Sequence, residues 1–182
     1  MIVPGLLDSL FYSDIEIPLT VEKEGKENIG GLELKLKPGM KIKLPYTHAL
    51  ELISKDEARV DVEAFKSSLN LKKLCWNEER SETLQPLEDG FYLKLMLYIL
   101  FLKSEVSKGN VEYEAELKSA RISFSDLLRL RLKKIVELAM ASQQVEREKM
   151  KNMTREEQLL YVQLCNVISS WSDSMKKLVG VV

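Results

Sequence analysis

The chain has 182 residues, 27 basic against 28 acidic, and a formal net charge of −1. That length allows one ordinary domain or two small ones, and an apolar share of 45% excludes wholesale disorder. The balanced charge excludes a protein that coats nucleic acid by bulk attraction. The most apolar run, Phe91 to Leu102 with Lys94 inside it, falls short of the ~20 residues a bilayer needs and reads as a buried helix of a soluble protein.

Up to about Phe65 the pattern has period two. Ile15, Ile17, Leu19 and Val21 alternate with mostly polar residues, as do Leu32, Leu34 and Leu36, then Met40, Ile42 and Leu44. Alternation of this kind predicts strands with one buried face. Lys37-Pro38-Gly39 predicts a tight turn, proline fixing its first central residue and glycine supplying the positive φ at the next. Gly30-Gly31 and the polar stretch Glu22 to Asn28 predict another. Pro45 opens a short helix, Tyr46 to Ser54, with Ala49, Leu52 and Ile53 on one side. A strand from Arg59 to Ala64 closes this part.

From about Leu69 the spacing is helical, beginning with Leu71 and Leu74. Helices are predicted at Pro86–Lys103, Val111–Ala120, Phe124 to about Lys149, and Arg155–Leu178. Thr154 with Glu157 forms a capping box, the threonine accepting an orphan N–H and the glutamate reaching back to the cap. Ser123 with Asp126 is a weaker version. Lys176 and Lys177 in the last turn oppose the helix dipole. The fold class is therefore α+β, with a small β-rich domain over residues 1–68 and a helical domain over 69–182.

The last helix carries one continuous apolar stripe, Leu160, Leu164, Val167, Trp171, Met175 and Leu178, widened by Ile168. In the preceding helix, at ~100° per residue, Leu127, Leu128, Leu132, Ile135, Val136, Leu138 and Ala139 cover about half the circumference, with Leu130 outside the arc. A helix apolar over more than one face buries more than one face; in so short a chain, another subunit can supply part of that burial. Arg131 falls inside the arc. Two readings stay open there: an ion pair that sets the register of helices or subunits, or an arginine laid along the surface, since an unpaired buried charge is too costly.

Catalytic signatures are missing from the pattern. His48 is the only histidine, on a short helix with no second ligand nearby. The carboxylates Glu78-Glu79, Glu146, Glu148 and Glu156-Glu157 read as caps and solvated faces. There is no glycine-rich phosphate loop, nucleophile elbow or Cys/His cluster. Cys75 and Cys165 have no metal-like spacing and read as reduced thiols of an intracellular protein. No enzyme activity, cofactor or metal is expected. Arg121, Arg129, Lys133 and Lys134 cluster with Arg131, but they are threaded through core leucines without aromatics, so a solvated helix face is favoured over a phosphate-binding stripe.

Several segments resemble the GINS family, in the subunit type whose β-domain precedes its helical domain. Leu44-Pro45-Tyr46-Thr47-His48-Ala49-Leu50-Glu51-Leu52 is similar to the family segment at the β-domain's short helix, although His48 stands where an aliphatic residue is usual. Leu71, Leu74 and Glu78-Glu79 resemble the junction between domains, and Leu84-Gln85-Pro86-Leu87 with Phe91-Tyr92 the start of a long helix. The closest match is Asp126 through Ile135, with Asp126, Arg131, Lys134 and Ile135 in the family's places. Met153-Thr154 with Glu157 resembles the start of the last helix. The divergent segment Ser104–Ala120 and the compact length point to an archaeal version.

The resemblance implies a non-catalytic scaffold subunit in DNA replication. Its partners would be the other GINS subunit type, in a hetero-tetramer of two copies each, together with the MCM helicase, a RecJ-like factor and primase. DNA would be met mainly through the helicase, at chromosomal replication forks and away from membranes. Residues 1–68 would contact partners and 69–182 would carry assembly. The interface candidates are Leu127, Leu130, Arg131, Lys134, Ile135, Leu160, Leu164, Val167, Trp171 and Met175. The alternative is a stand-alone nucleic-acid-binding regulator.

Overall fold

The computed structural model describes residues 11–29, 32–142 and 144–181. Its elements run β1 (Glu16–Val21), β2 (Gly25–Ile29), β3 (Leu32–Leu36), β4 (Lys41–Pro45), α1 (Tyr46–Ser54), β5 (Ala58–Val60), α2 (Leu71–Arg80), α3 (Phe91–Ser107), α4 (Glu112–Ala141) and α5 (Arg155–Leu178). Short 3₁₀ turns lie at Val62–Ala64, Lys66–Leu69 and Arg147–Met150. The chain is α+β, strands first and helices after. By internal packing it forms two compact units, Met1–Leu69 with Asp89–Leu117, and Asn70–Glu88 with Lys118–Val182. Helix α3 thus packs within the unit that holds the strands. Among the described residues no helix is long and apolar enough to cross a membrane.

In the first unit β1 is the central strand of an antiparallel sheet ordered β4-β1-β5, with Ile17 opposite Leu44 and Leu19 opposite both Ile42 and Val60. Ile17, Leu19 and Val21 are buried as the alternation requires, but Pro18 is buried as well. A proline in a central strand forfeits a ladder bond. Here the Asp61 N–H donates to the Pro18 carbonyl just past the end of β5, so the missing N–H falls where regular pairing has stopped. The Lys37–Met40 turn forms as expected, with Gly39 at φ 81° and the Met40 N–H donating to the Lys37 carbonyl.

Three expectations change here. The polar stretch read as a turn contains β2, which pairs with β3 from Gly25 opposite Leu36 to Ile29 opposite Leu32; cross-strand backbone bonding overrides a poor strand composition. Gly30-Gly31 lie outside the described residues. The strand expected at Arg59–Ala64 stops at Val60, because Val62–Ala64 coils into a 3₁₀ turn. The helix expected from Pro86 starts at Phe91, because Gly90 takes φ 69°. A Cβ at Gly90 would lie 2.7 Å from Ile15 Cγ2, so glycine is required there for space as well as for φ.

The second unit takes up most of α4, in which the two helices expected at Val111–Ala120 and Phe124–Lys149 are one, ending at Ala141. Arg121-Ile122-Ser123 holds no glycine or proline to break it, and Ser123 is helix interior, not a cap. Helix α5 has its expected bounds, and its capping box is formed: Thr154 Oγ1 accepts from the Glu157 N–H and the Glu157 carboxylate accepts from the Thr154 N–H. The core of this unit gathers Leu84, Ile135, Ala139, Met153, Tyr161 and Cys165, with Leu138, Met150, Leu160, Leu164 and Ile168 packed around it.

Candidate functional site

The most ordered chemistry in the second unit is a buried network around Arg131, whose side chain is 0% exposed. Its Nε donates to Glu157 Oε1 at 2.6 Å and its Nη2 to Glu157 Oε2 at 2.7 Å, a bidentate fork. Nη1 donates to Glu78 Oε2 and to the Gln85 carbonyl, both at 2.7 Å, and Nη2 also to the Asn152 carbonyl at 2.9 Å. All the donors a guanidinium has are therefore used. One turn along α4, Lys134 Nζ donates to Glu78 Oε1 and to the carbonyls of Glu78 and Thr83. The Gln85 N–H donates to Glu78 Oε2, and Asn152 Nδ2 to the Leu84 carbonyl.

Two cations and two carboxylates thus balance inside the unit, as buried charges must. They join the end of α2, the segment 83–85, α4, and the start of α5. The spacing explains itself: Arg131 and Lys134 are three apart on one helix face, both reaching Glu78, and Ile135 follows into the core. Asp126 stands outside the network, exposed and only 3.9 Å from Arg129.

Of the two readings for Arg131, the structure realises the ion pair, and within this chain. The sequence pattern reads its partners Glu78 and Glu157 as solvated or capping residues; the structure makes them the two counter-charges. A signal was present. Glu78 continues the α2 row Leu71, Leu74, Cys75, and Glu157 sits one turn before Leu160 and Tyr161, so both carboxylates occupy apolar positions of their helices. Glu157 serves as cap and as counter-charge at once.

The interface candidates divide by burial. Leu127, Arg131 and Ile135 are enclosed within this chain. Leu130, Lys134, Leu160 and Leu164 are half-buried. Val167, Trp171 and Met175 are exposed, at 66%, 64% and 38%, and Leu178 at 77%. The α5 stripe is therefore covered in its first half, where Leu160, Leu164 and Ile168 pack on the core, and bare in its second. From Gln158 to Ser172 the helix carries no charged residue. A bare, uncharged apolar ridge ending in a tryptophan is uncommon on a face left to water.

Reactive groups are quiet by comparison. Burial pushes the Cys75 thiol up, which keeps it protonated, and its Sγ donates to the Ser123 carbonyl. In the first unit the Tyr98 hydroxyl donates to Glu116, which also pairs with Lys66 at 3.0 Å; the Tyr98 bond holds the Glu116 carboxyl below the usual range, and burial together with that bond raises the Tyr98 phenol. A cleft of about 580 Å³ beside Lys134 is lined by both charge signs, Glu82, Glu137, Glu146 and Glu148 against Lys149 and Lys151. Among the described residues, no group of three or more His, Cys, Asp or Glu is placed to hold a metal ion.

Fold and site together define a helical-bundle protein with a β-rich part ahead of it, locked internally by one buried arginine and presenting an uncovered helix face. Residues 47–176 match the Sld5 family, the GINS complex protein helical bundle domain. That match spans more than half of the chain, which belongs to this family of DNA replication proteins. No curated protein matches the chain at a significant level.

Proposed function

We propose that the chain is a non-catalytic scaffold subunit of the GINS complex, and that the bare second half of α5 is where it docks on the other GINS subunit type. The observation that carries this is the change of burial along one stripe: Leu160 and Leu164 pack on the chain's own core, whereas Val167, Trp171 and Leu178 continue the same ridge into solvent. An apolar ridge of this size left in water is unfavourable at about 25 cal/mol per Å², and association removes that cost. The network at Arg131 supports the reading from inside, because it fixes the start of α5 and so the line along which the bare half projects.

In this reading the particle holds two copies of each subunit type. The helical part carries assembly, and residues 1–68 contact the MCM helicase, a RecJ-like factor or primase, with DNA met mainly through the helicase at the chromosome. The test is co-expression with a subunit of the other GINS type and mass measurement of the purified particle. A stable 2:2 complex is expected. A monomer with no affinity for the other subunit type contradicts it.

A further inference from the structure

A second uncovered surface has different chemistry. Over Lys118 to Met140, at 100° per residue, α4 turns one sector of roughly 140° outward. It contains Ile122, Leu128, Leu132 and Met140, exposed at 55%, 43%, 42% and 68%, with half-buried Val136 between the last two, and it closes over only near its end, where Ala139 is buried. The same sector holds the exposed Lys118, Arg121, Arg129 and Lys133 and no acidic residue. Asp126 and Glu137 stand at its edge, reaching Arg129 and Lys133 only at 3.9 and 3.8 Å, with all four side chains more than half exposed. Such contacts contribute little and leave the cations available.

We propose that this face of α4 is a docking surface for an acidic amphipathic helix of a partner protein, separate from the uncharged α5 ridge. Leu128, Leu132, Val136 and Met140 repeat every four residues and form the ridge that a second helix packs against. The stretch is roughly 33 Å long at 1.5 Å per residue, enough for a partner helix of about six turns. Its cations flank the ridge, so a helix with leucines on one face and carboxylates beside them matches it in both apolar area and charge. Duplex DNA would meet the cations but leave four large aliphatic side chains in water. The ridge also lacks the aromatic platforms that hold single strands. A bilayer surface suits a helix free to turn its whole apolar side downward, whereas the inner side of α4 is held in the core by Leu127, Arg131 and Ile135.

Because the cations are exposed, binding here is sensitive to salt within the screening range, unlike docking at the α5 ridge. The experiment uses the full chain, together with its partner subunit where the two co-purify. Fluorescence anisotropy measures binding of a synthetic helix of about six turns with a leucine ridge and glutamate flanks, beside the same helix with every Glu replaced by Gln. The acidic helix is expected to bind at least about tenfold tighter than the neutral one, a difference of ~1.4 kcal/mol. That advantage should shrink as salt rises and vanish in the Arg129→Glu/Lys133→Glu variant. The variant should keep its melting temperature and its association through α5, so this proposal and the assembly proposal fail separately. Equal binding of both helices, undiminished binding to the variant, or binding only to duplex DNA or to phosphatidylserine vesicles in place of the peptide overturns the inference.

Discussion

Arg131→Ala should be among the most damaging single substitutions in the chain. It removes the donors to Glu157, Glu78 and two carbonyls while leaving both carboxylates in place at 1% and 4% exposure. Glu78 keeps Lys134 and the Gln85 N–H, but Glu157 loses both arms of its fork. Breaking a buried pair from one side costs ~3–5 kcal/mol, and because this one arginine serves two buried acids the upper half of that range is expected. For a chain of this length each kcal/mol moves the melting temperature by roughly 2–4 °C, so the expected fall is roughly 8–20 °C. Urea unfolding followed by far-UV circular dichroism reads the energy directly. Arg131→Lys should rescue only in part, since an ammonium cannot bridge the two acids in a plane. Combining Arg131→Ala with Glu157→Gln should show a coupling of at least about 1 kcal/mol. A loss below about 1 kcal/mol, or no coupling to either Glu78 or Glu157, refutes the reasoning.

Two further outcomes concern the first unit. Gly90→Ala meets Ile15 at 2.7 Å and a φ of 69°, and should destabilise by roughly 1–3 kcal/mol; an unchanged melting temperature contradicts that geometry. The Glu116 carboxyl is held below its usual range mainly by the Tyr98 hydroxyl, with help from Lys66. A depressed folded pKa contributes stability that is complete above the unfolded value, about 4.3, and is lost as pH falls through the folded one. Glu116→Gln should therefore flatten the acid limb of the stability curve, and an identical acid limb in wild type and variant removes Glu116 from the account.

The helices were legible in outline because their signals are local: the Thr154–Glu157 capping box placed the start of α5, and the stripe from Leu160 to Leu178 gave its buried and bare sides. What the pattern could not supply was which half of that stripe the chain covers itself, since that depends on where α4 ends and the core stops. Strand β2 was hidden for a similar reason, its backbone bonds being supplied by β3 and not by its own residues. At Arg131 the local pattern places a charge inside the apolar arc but leaves open whether it is paired or laid along the surface. Glu78 lies far off in sequence, at the end of another helix, and its acid looks like any solvated carboxylate until its place in the row after Leu71 and Cys75 is weighed. The two expected helices are one because Ser123 is a helix-interior residue and nothing between Ala120 and Phe124 breaks the helix.

If the uncovered half of α5 holds the assembly together, Trp171 acts there and not in the fold. Trp171 is 64% exposed, so Trp171→Asp should leave the chain's own stability within about 0.5 kcal/mol of wild type. If it is an interface anchor, the same change costs 2 kcal/mol or more of binding, a loss of roughly 30-fold or greater in affinity for the other GINS subunit. Isothermal titration of the two chains against that subunit measures this directly. The account predicts binding by the wild type and at least that loss in the variant, with an unchanged circular dichroism spectrum; equal affinities for both chains contradict it.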